Sequence, residues 1–410
     1  MAPRARPPEH ESIDGYTISA MTGSTDDIGR GIAVGSTRGS NPENPQNLDG
    51  FDYGRESILL GSPPTPIIDV HSHLRGREAT DIQRDVMDLM GIDSIWTMTQ
   101  LDQLDPVEEV LGDRVRFIAT ANFRDPDRHH AFGEGYINDL EQFRARGARL
   151  AKFWAAPGGI DYGDEVGSPG LLKLDSPERI AGMEAAVDLG MGIMVHVADP
   201  DTWFRHRYRD HQRYGTKLQQ YEPMRRLMER FTVPWLAAHM GGWPENLEFL
   251  DQLLQSHSNL HLDTSATKWM VRELSRQPRA ELVDFLDRWQ GRILFGSDNV
   301  VSNDHLGTSG EGTIAEKATD PTTAFDLYAS RYWALRSMFE TELDIESPIQ
   351  DPDRRIEMLL DSGIPDIQAH IADSEIPRAR LRGLGLDSRQ LCWLYSRAAS
   401  EFHEKLEALH

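Results

Sequence analysis

The chain of 410 residues has little cysteine, a deficit of basic side chains and no long apolar run. Its single cysteine, Cys392, excludes a framework of internal disulfides and is typical of a reducing compartment. No apolar run reaches the length of a transmembrane helix, and the N-terminal region has no hydrophobic segment of the secretory type. We therefore expect a cytoplasmic protein with no membrane partner.

Positive charge is scarce, because 43 Lys and Arg residues face 66 Asp and Glu residues and give a formal net charge of −23. This balance argues against nucleic acid or an anionic membrane as a partner. Gly31, Gly35 and Gly39 lack both the Gly-Lys-Ser/Thr ending and the preceding strand of a phosphate-binding loop. The expected partner is a small-molecule substrate, and we expect a homo-oligomer, a dimer.

Residues 1–62 differ in composition from the rest of the chain. They are rich in Gly, Ser, Pro, Asn and Asp and contain few apolar clusters. Such a segment cannot bury enough apolar surface to offset the entropy of ordering. We expect residues 1–62 to be a poorly ordered or extended N-terminal arm, with the folded domain at residues 63–410.

A strand–helix alternation begins at residue 63. Buried-type runs predict strands around Ile68 and at residues 94–98, 116–120, 149–154, 192–197, 235–239, 259–264 and 292–297. Helices are predicted at 81–90, 137–146 and 324–339, after Ser176-Pro177 and after Asp387. Eight strands separated by helices predict a (β/α)₈ TIM barrel of the α/β class. An open doubly wound sheet is the alternative, although its usual Gly-rich first turn is absent.

The alternation loosens at residues 299–382, where charged and proline-punctuated stretches follow the eighth strand. We expect a long insertion that lies over the C-terminal mouth of the barrel or makes subunit contacts. The final predicted helix places Leu391, Leu394, Tyr395, Ala398 and Phe402 against the barrel.

The stretch from Pro66 to His73 indicates a metal site. His71 and His73 are two residues apart on a strand, which puts both imidazoles on one face. Such a pair alone is a weak signal, because most surface histidine pairs have no function. It gains weight because other polar side chains fall at the ends of later predicted strands.

In a barrel of this type the C-terminal ends of the strands carry the functional side chains. Lys152 lies near the end of the fourth predicted strand and His196 lies on the fifth. His239 closes the sixth strand, and Asp298 follows the eighth. Four imidazoles, a carboxylate and a lysine at one mouth suit one divalent cation, zinc first, with manganese or iron as alternatives.

Several stretches resemble the amidohydrolase superfamily, and more narrowly the amidohydrolase-related family that includes aminocarboxymuconate-semialdehyde decarboxylase. The resemblance covers residues 65–405. Its stretches are Ile68-Asp69-Val70-His71-Ser72-His73, His196-Val197-Ala198-Asp199-Pro200, Ala238-His239-Met240-Gly241-Gly242, Arg272-Glu273-Leu274-Ser275-Arg276-Gln277-Pro278, Ile293-Leu294-Phe295-Gly296-Ser297-Asp298, Met338-Phe339-Glu340-Thr341 and the segment from Gly383 to Tyr395.

The resemblance implies roles for these residues. It implies that His71, His73, His196 and Asp298 bind the metal and that His239 lies beside the metal-bound water. Asp298 is then a general base as well as a ligand. His239 stabilises a developing oxyanion or protonates the leaving group.

Lys152 has two interpretations. Relatives with two metals hold them with a carboxylated lysine on the fourth strand, whereas relatives with one metal often carry an ordinary lysine that binds a substrate carboxylate. We favour one metal and a cationic Lys152. Arg75 and Trp154 also follow strand ends and are candidate substrate-binding residues, although loop packing is an equally good explanation for a tryptophan.

The sequence therefore predicts a metal-dependent hydrolase that uses a metal-activated water on a small C–N or C–O substrate. The alternative on the same ligands is a lyase, a non-oxidative decarboxylase of an aromatic or unsaturated carboxylic acid. A catalytically silent barrel that serves as a binding or scaffold protein would be expected to have lost a ligand, and none is missing.

Overall fold

The structure, a computed structural model, describes residues 44–308, 317–362 and 377–409. Residues 1–43 of the predicted arm, and residues 309–316 and 363–376 of the predicted insertion, lie outside the described residues. The described part is a mixed α/β body in which strands and helices alternate. None of its helices combines the length and the apolar character needed to cross a membrane.

Parallel strands form two sheets, and a two-stranded antiparallel sheet lies beside them. The strands are β1 (Ile67–Arg75), β2 (Ile92–Thr97), β3 (Val115–Phe117), β4 (Leu150–Trp154), β5 (Gly192–His196), β6 (Trp235–Ala237), β7 (Leu260–Asp263), β8 (Ile293–Leu294), β9 (Asn299–Ser302), β10 (Asp344–Gln350) and β11 (Arg378–Arg382). The parallel sheets have the orders β3-β2-β1-β9 and β4-β5-β6-β7-β8, and β10 pairs with β11.

Hydrogen bonds join the two parallel sheets at both of their edges. After β3, the amide of Ala119 donates to the carbonyl of Leu150 at 2.9 Å, and the amide of Lys152 donates to the carbonyl of Ala119 at 2.8 Å. At the other edge, the amide of Val70 donates to the carbonyl of Phe295 at 3.0 Å. All the parallel strands therefore direct their carboxyl ends to one side of the body.

Helices connect the strands and cover the outer faces of the sheets. They are α1 (Tyr53–Leu60), α2 (Arg77–Met90), α3 (Leu104–Leu111), α4 (Arg128–Phe132), α5 (Glu134–Ala145), α6 (Gly159–Asp164), α7 (Pro177–Asp188), α8 (Asp201–Arg205), α9 (His211–Tyr214), α10 (Lys217–Arg230), α11 (Leu247–Ser256), α12 (Thr267–Leu274), α13 (Arg279–Arg288), α14 (Pro321–Glu340), α15 (Pro352–Ser362), α16 (Ser388–Cys392) and α17 (Ala398–Glu407). A π-helical turn (Trp393–Arg397) joins α16 to α17, and short 3₁₀ turns occupy Leu101–Gln103, Gly112–Arg114, Met240–Gly242 and Asn303–Leu306.

The predicted helix boundaries are confirmed where a capping residue marks them. The side chain of Ser176 accepts a hydrogen bond from the amide of Arg179 at the start of α7. Asp387 and Gln390 form a reciprocal capping box at the start of α16. Gly91 ends α2 in the left-handed conformation, with φ of 71°.

The C-terminal helix packs against the apolar side chains of the strands at one end of the body. Inward-facing Val70, Leu150 and Leu236 form an apolar cluster with Phe402 and Leu406 of α17. Phe402 and Leu406 are fully or almost fully buried. Polar side chains lie on the opposite side, at the carboxyl ends of the strands.

The predicted boundary of the arm at residue 62 is wrong for residues 44–60. Leu48, Phe51 and Tyr53 are buried, and Tyr53 opens α1. The side-chain amide of Asn44 donates to Asp326 of α14 at 2.8 Å. A few apolar side chains in a polar stretch are enough to fix it when backbone and amide groups also find partners.

The predicted insertion at residues 299–382 is also wrong at its start. Strand β9 pairs with β1 and so belongs to the parallel sheet, and α14 packs against α2 and α1 as one of the body helices. Helix α14 confirms the helix predicted at 324–339. Strands β10 and β11 with α15 are the additional part, and α15 contacts α8, which follows the carboxyl end of β5.

Candidate functional site

All the predicted site residues line one cavity at the carboxyl ends of the strands. Its volume is about 540 Å³. The predicted residues on its wall are His71, His73, Arg75, Lys152, Trp154, His196, His239 and Asp298. Strand order brings together side chains that are separated by more than 220 positions in the sequence.

Two imidazoles and one carboxylate meet at the end of β1. Nε2 of His71 lies 3.5 Å from Oδ1 of Asp298, and Nε2 of His73 lies 3.3 Å from the same oxygen. Ligand atoms of these three residues lie within 4.8 Å of one another. Asp298 is held in place by its own amide, which donates to the carbonyl of His71 at 2.8 Å.

This group fits a divalent metal ion. Ligand atoms bound to one ion at about 2.1 Å lie about 3.0 to 3.4 Å apart in octahedral or tetrahedral geometry. The distances between Asp298 and the two imidazoles are close to that range. Two imidazoles with a carboxylate suit zinc, manganese and iron alike.

His196, the remaining predicted ligand, lies at the end of β5 and faces the same cavity. Its ring is 4.5 Å from that of His239, measured between centroids. Nε2 of His196 lies 3.0 Å from Oδ1 of Asp199, and the hydroxyl of Tyr208 donates to Oδ2 of Asp199 at 2.8 Å. Only Nδ1 of His196 is therefore left to bind an ion, and His196 is outside the group formed by His71, His73 and Asp298.

Asp263, which ends β7, and Ser265, which follows it, contact the buried imidazoles of His71 and His239. Oδ2 of Asp263 lies 2.9 Å from Nδ1 of His71, and Oδ1 of Asp263 accepts a hydrogen bond from the hydroxyl of Ser265. Oγ of Ser265 lies 2.7 Å from Nδ1 of His239. These bonds assign the proton to Nδ1 in both histidines, so both Nε2 lone pairs point away from Asp263.

A second buried carboxylate, Asp69, forms hydrogen bonds with residues near the same strand ends. Its oxygens accept hydrogen bonds from the amide of His71 at 3.0 Å, the hydroxyl of Ser297 at 2.6 Å and the hydroxyl of Tyr332 at 2.8 Å. Burial raises the pKa of Asp69 to about 7. Asp69 thus links β1, the segment before Asp298 and helix α14.

The charge states of the site follow from burial and from neighbouring groups. Burial lowers the pKa of His239 well below its ordinary value, and His196 lowers it further. Burial raises the pKa of Asp298, but the hydrogen bond with His73 and the nearby imidazoles outweigh it and hold that pKa well below its ordinary value. Near neutral pH, His239 is therefore neutral and Asp298 is ionised.

The backbone is strained at the carboxyl ends of β6, β7 and β8. Within the described ranges, the non-glycine residues with positive φ are His239 (59°), Met240 (51°), Ala266 (65°) and Asp298 (57°). Such conformations cost about 1–3 kcal/mol each and persist where the surroundings enforce them, as at active sites. Two of the four are predicted catalytic residues.

Lys152 lies on the cavity wall and is buried. Within the described part of the chain, its ammonium group has no hydrogen-bond partner and no carboxylate at ion-pair distance. Burial lowers its pKa to about 8, and Asp263 and Asp298 oppose that shift. A buried cation without a partner suits an anionic group of a ligand.

Arg75 and Trp154 both lie on the cavity wall, as the sequence predicts. Arg75 ends β1 and contacts Asp304, with Nη1 and Oδ2 3.1 Å apart. Trp154 ends β4 and forms an aromatic wall with Phe123 and Tyr162. The carbonyl of Trp154 accepts a hydrogen bond from the buried guanidinium of Arg179.

Sequence reasoning missed Asp263, Ser265 and Asp69. Asp263 and Ser265 lie at the end of the seventh predicted strand, so the criterion that selected His239 and Asp298 applies to them as well. Asp69 is not among the residues that line the cavity, and only its hydrogen bonds to His71, Ser297 and Tyr332 reveal its part in the site. Phe123 and Arg124 follow the third strand and carry no signal in sequence beyond that position.

No protein-family model matches the chain, and no curated protein matches it. Among solved structures, the chain is similar to a "probable" 2-pyrone-4,6-dicarboxylic acid hydrolase from Acinetobacter baumannii with citric acid bound, at 10% identity and a TM-score of 0.37 over 65% of this chain and 96% of that chain. It is also similar to 2,6-dihydroxybenzoate decarboxylase from Rhizobium, at 13% identity and a TM-score of 0.36 over 67% and 99% of the two chains.

A third structure is a dihydroxybenzoic acid decarboxylase from Polaromonas sp. with bound manganese and the inhibitor 2-nitroresorcinol. It shares 13% identity, with a TM-score of 0.36 over 64% of this chain and 97% of that chain. Likeness of this degree carries no conclusion about the substrate or reaction of this chain. The resemblance of the chain to the amidohydrolase superfamily therefore depends on its sequence motifs.

Proposed function

We propose that the chain is a metal-dependent hydrolase of a small anionic C–N or C–O substrate. The observation that carries this proposal is the group of His71, His73 and Asp298 in a cavity that also exposes Lys152, which has no hydrogen-bond or ion-pair partner among the described residues. The two imidazoles and the carboxylate would hold one divalent ion, zinc first, with His196 as a further ligand through Nδ1. When bound, such an ion lowers the pKa of water and polarises a substrate oxygen.

Asp298 and His239 would act on the water molecule that attacks the substrate. Oδ1 of Asp298 faces both imidazoles, so Oδ2 is the oxygen that would take a proton from water as general base. His239 carries its own proton on Nδ1, toward Ser265, and therefore presents an acceptor at Nε2. In this tautomer, neutral His239 would orient water by accepting a hydrogen bond from it at Nε2. Donation to an oxyanion would first require protonation at Nε2.

Lys152 would bind a carboxylate of the substrate. Its pKa of about 8 keeps it mostly cationic at neutral pH. In this proposal Lys152 is not carboxylated, and the chain holds one metal.

Decarboxylation of an aromatic or unsaturated acid is the second candidate reaction. It is favoured by the aromatic wall of Phe123, Trp154 and Tyr162, which suits a flat ring, together with a cation for its carboxylate. The same ligands and the same Lys152 would serve either reaction.

The test begins with the metal content of chain purified without added metal and after reconstitution with zinc or manganese. The loaded chain is then assayed against panels of amides, esters, lactones and aromatic acids, with CO₂ release measured separately. Hydrolysis without CO₂ supports the first reaction, and stoichiometric CO₂ supports the second. Failure to bind any divalent transition metal would contradict both.

We propose in addition that the parallel strands close into a (β/α)₈ barrel and that the chain is a cytoplasmic homodimer. The inter-sheet bonds of Ala119 and Val70 support closure. Ile58 and Leu59, exposed neighbours on α1, support an apolar contact between copies. Sedimentation equilibrium at several concentrations tests the dimer, which a single species of one chain mass would contradict.

A further inference from the structure

We infer that helix α15 positions His196, and that Thr202 of helix α8 is the residue that transmits this effect. His196 ends β5, and residues 197–200 join it to α8. This role rests on the proposed function, because His196 is a ligand of the ion only in that proposal. Helix α15 thereby takes part in assembling the site, although none of its residues lines the cavity.

Asp199 fixes the orientation of the His196 ring. Its Oδ1 atom lies 3.0 Å from Nε2 of His196, and its Oδ2 atom accepts a hydrogen bond from the hydroxyl of Tyr208 at 2.8 Å. Asp199 and Tyr208 are buried, so water does not compete for these bonds. An imidazole held at Nε2 presents Nδ1 at a fixed angle, and displacement of Asp199 would release the ring.

The short helix α8 holds Asp199 in turn. Pro200 joins them directly, with φ of −53°, so a shift of α8 moves Asp199. Helix α8 has only five residues, and a helix of this length is not stable through its own hydrogen bonds. The side chains around α8 therefore set its place. The amide of Asp201 donates to Oε1 of Glu245 at 2.8 Å, which fixes the first residue of α8.

Helix α15 contacts the next two residues of α8. The hydroxyl of Thr202 donates to Oε1 of Glu357 at 2.6 Å, and Nε1 of Trp203 donates to Oδ1 of Asp353 at 3.0 Å. The two acceptors are four positions apart, which places them on one face of α15. Thr202 and Glu357 are both buried, so loss of the bond between them leaves a buried polar group without a partner.

Buried ion pairs fix α15 to α12, which follows β7. Nη1 of Arg276 donates to Oε1 of Glu357 at 3.0 Å, and Nη1 of Arg272 donates to Oδ2 of Asp351, the residue before α15, at 2.7 Å. Glu273 accepts hydrogen bonds from both arginines. Removal of one partner would leave a buried charge without compensation, so α15 has one favoured position. Helix α15 thereby joins the segments that follow β5 and β7.

A further ion pair joins α8 and α15 at the surface. Nη2 of Arg205 lies 2.7 Å from Oδ1 of Asp361, and the two side chains are 50% and 61% exposed. Exposed pairs of this kind contribute little to stability. We therefore assign the positioning effect to Thr202 and Trp203 and none to Arg205, which provides a matched control.

The test measures two quantities in the full chain with Thr202→Val, which removes the hydroxyl and keeps the branched shape. Zinc affinity is measured by competition with a chromogenic chelator, and we expect it to fall about tenfold or more, the range typical of partners behind metal ligands. Hydrogen exchange is measured by mass spectrometry without metal. Exchange of residues 197–206 should become faster, while the peptide that covers β1 keeps the wild-type rate.

Three further variants separate positioning from general stability. Thr202→Ser keeps the hydroxyl and should restore both quantities to within about twofold of the wild type, a change of about 0.4 kcal/mol or less. Trp203→Phe keeps an aromatic ring, removes the Nε1 donor and should change both quantities in the same direction as Thr202→Val. Arg205→Gln should match the wild type.

The positioning role is overturned if Thr202→Val and Trp203→Phe both keep wild-type zinc affinity and exchange, if exchange rises equally in β1, or if Arg205→Gln has the same effect. Should Thr202→Val fail to fold, Trp203→Phe decides alone. Failure of the proposed function is distinguishable, because a wild-type chain that binds no zinc would contradict that function. The exchange rates without metal would then still show whether α15 holds the segment after β5.

Discussion

At the scale of single residues, the hydrogen bonds behind the proposed metal ligands decide what each imidazole can do. Asp263 and Ser265 direct the Nδ1 protons of His71 and His239 away from the cavity. Each imidazole thereby presents an unprotonated Nε2, which suits His71 to the proposed role of ligand and His239 to that of acceptor. A histidine in a motif thus gains its role from partners on another strand, which explains why its role could not be derived from spacing alone.

Substitution of one ligand should separate metal binding from chemistry. We expect His73→Ala to weaken metal affinity more than about a hundredfold, because changes to outer partners alone cost ten- to a hundredfold. His239→Ala should retain near-stoichiometric metal and lose about a hundredfold or more in kcat. Metal content by mass spectrometry and turnover are measured together, with exposed His129→Ala as the control. Equal metal loss in His73→Ala and His239→Ala would show that His239 is a metal ligand and contradict this prediction.

The charge of Lys152 should impose a pH dependence on anion binding. Because its pKa is about 8, the ammonium form dominates below that pH and is lost above it, so benzoate affinity should fall as pH rises through about 8. A bound dication would shift the transition downward by charge repulsion. Calorimetric titrations between pH 6 and 9 measure this.

Lys152→Met should bind benzoate weakly and with no such transition. Lys173→Met, which removes an exposed lysine outside the cavity, should follow the wild-type profile. A wild-type affinity that is constant over this range would exclude Lys152 as the anion anchor.

At the scale of elements, the hydrophobic pattern predicted the strands that are continuous and missed the one that is interrupted. The first seven strands were located because each is a short buried run between turns. The eighth is broken at Asp298, where a φ of 57° separates β8, which pairs with β7, from β9, which pairs with β1. Apolar pattern does not encode a left-handed residue, so the sheet was predicted to end before Asn299.

Helix α17 should contribute strongly to stability because it fills the interior of the strands. Phe402 is fully buried against Trp96 and His261, with centroid distances of 6.1 and 4.6 Å. Phe402→Ala should lower the free energy of unfolding by about 3–5 kcal/mol through lost burial and a cavity. Urea unfolding monitored by circular dichroism measures this.

Glu404→Ala on the exposed face of the same helix is the matched control, and its effect should lie within about 0.5 kcal/mol. Similar losses in both variants would mean that helix propensity, and not filling of the interior, determines the contribution of α17.

At the scale of the whole molecule, fold class and cavity could be predicted, whereas the supporting contacts could not. The β/α alternation orders the strands, and this order brings residues from β1, β4, β5 and the segments after β6 and β8 to one wall. Leu48, Phe51 and Tyr53 are too few to mark residues 44–60 as part of the body. Phe51 and Tyr53 are buried against Trp333 of α14, about 280 residues away in the sequence.

Metal binding should stabilise the whole chain. The proposed ligands His71 and His73 are far from Asp298 in the sequence, and the three come together only in the folded state. At free metal a thousandfold above the Kd, the gain is about 4 kcal/mol. A chelator should therefore lower the Tm of the wild type and leave that of His73→Ala almost unchanged. Differential scanning calorimetry checks this, and an equal response in both proteins would place the stabilising ion elsewhere.

The position of α17 in the chain has a consequence for biosynthesis. The inward side chains it covers lie on strands that are complete by residue 294, but Phe402 and Leu406 are translated more than a hundred residues later. At about 5–20 residues per second, the nascent strands carry an unfilled apolar interior for several seconds. During that interval the chain exposes the kind of surface that chaperones bind, so its yield should depend on their supply more than its final stability does.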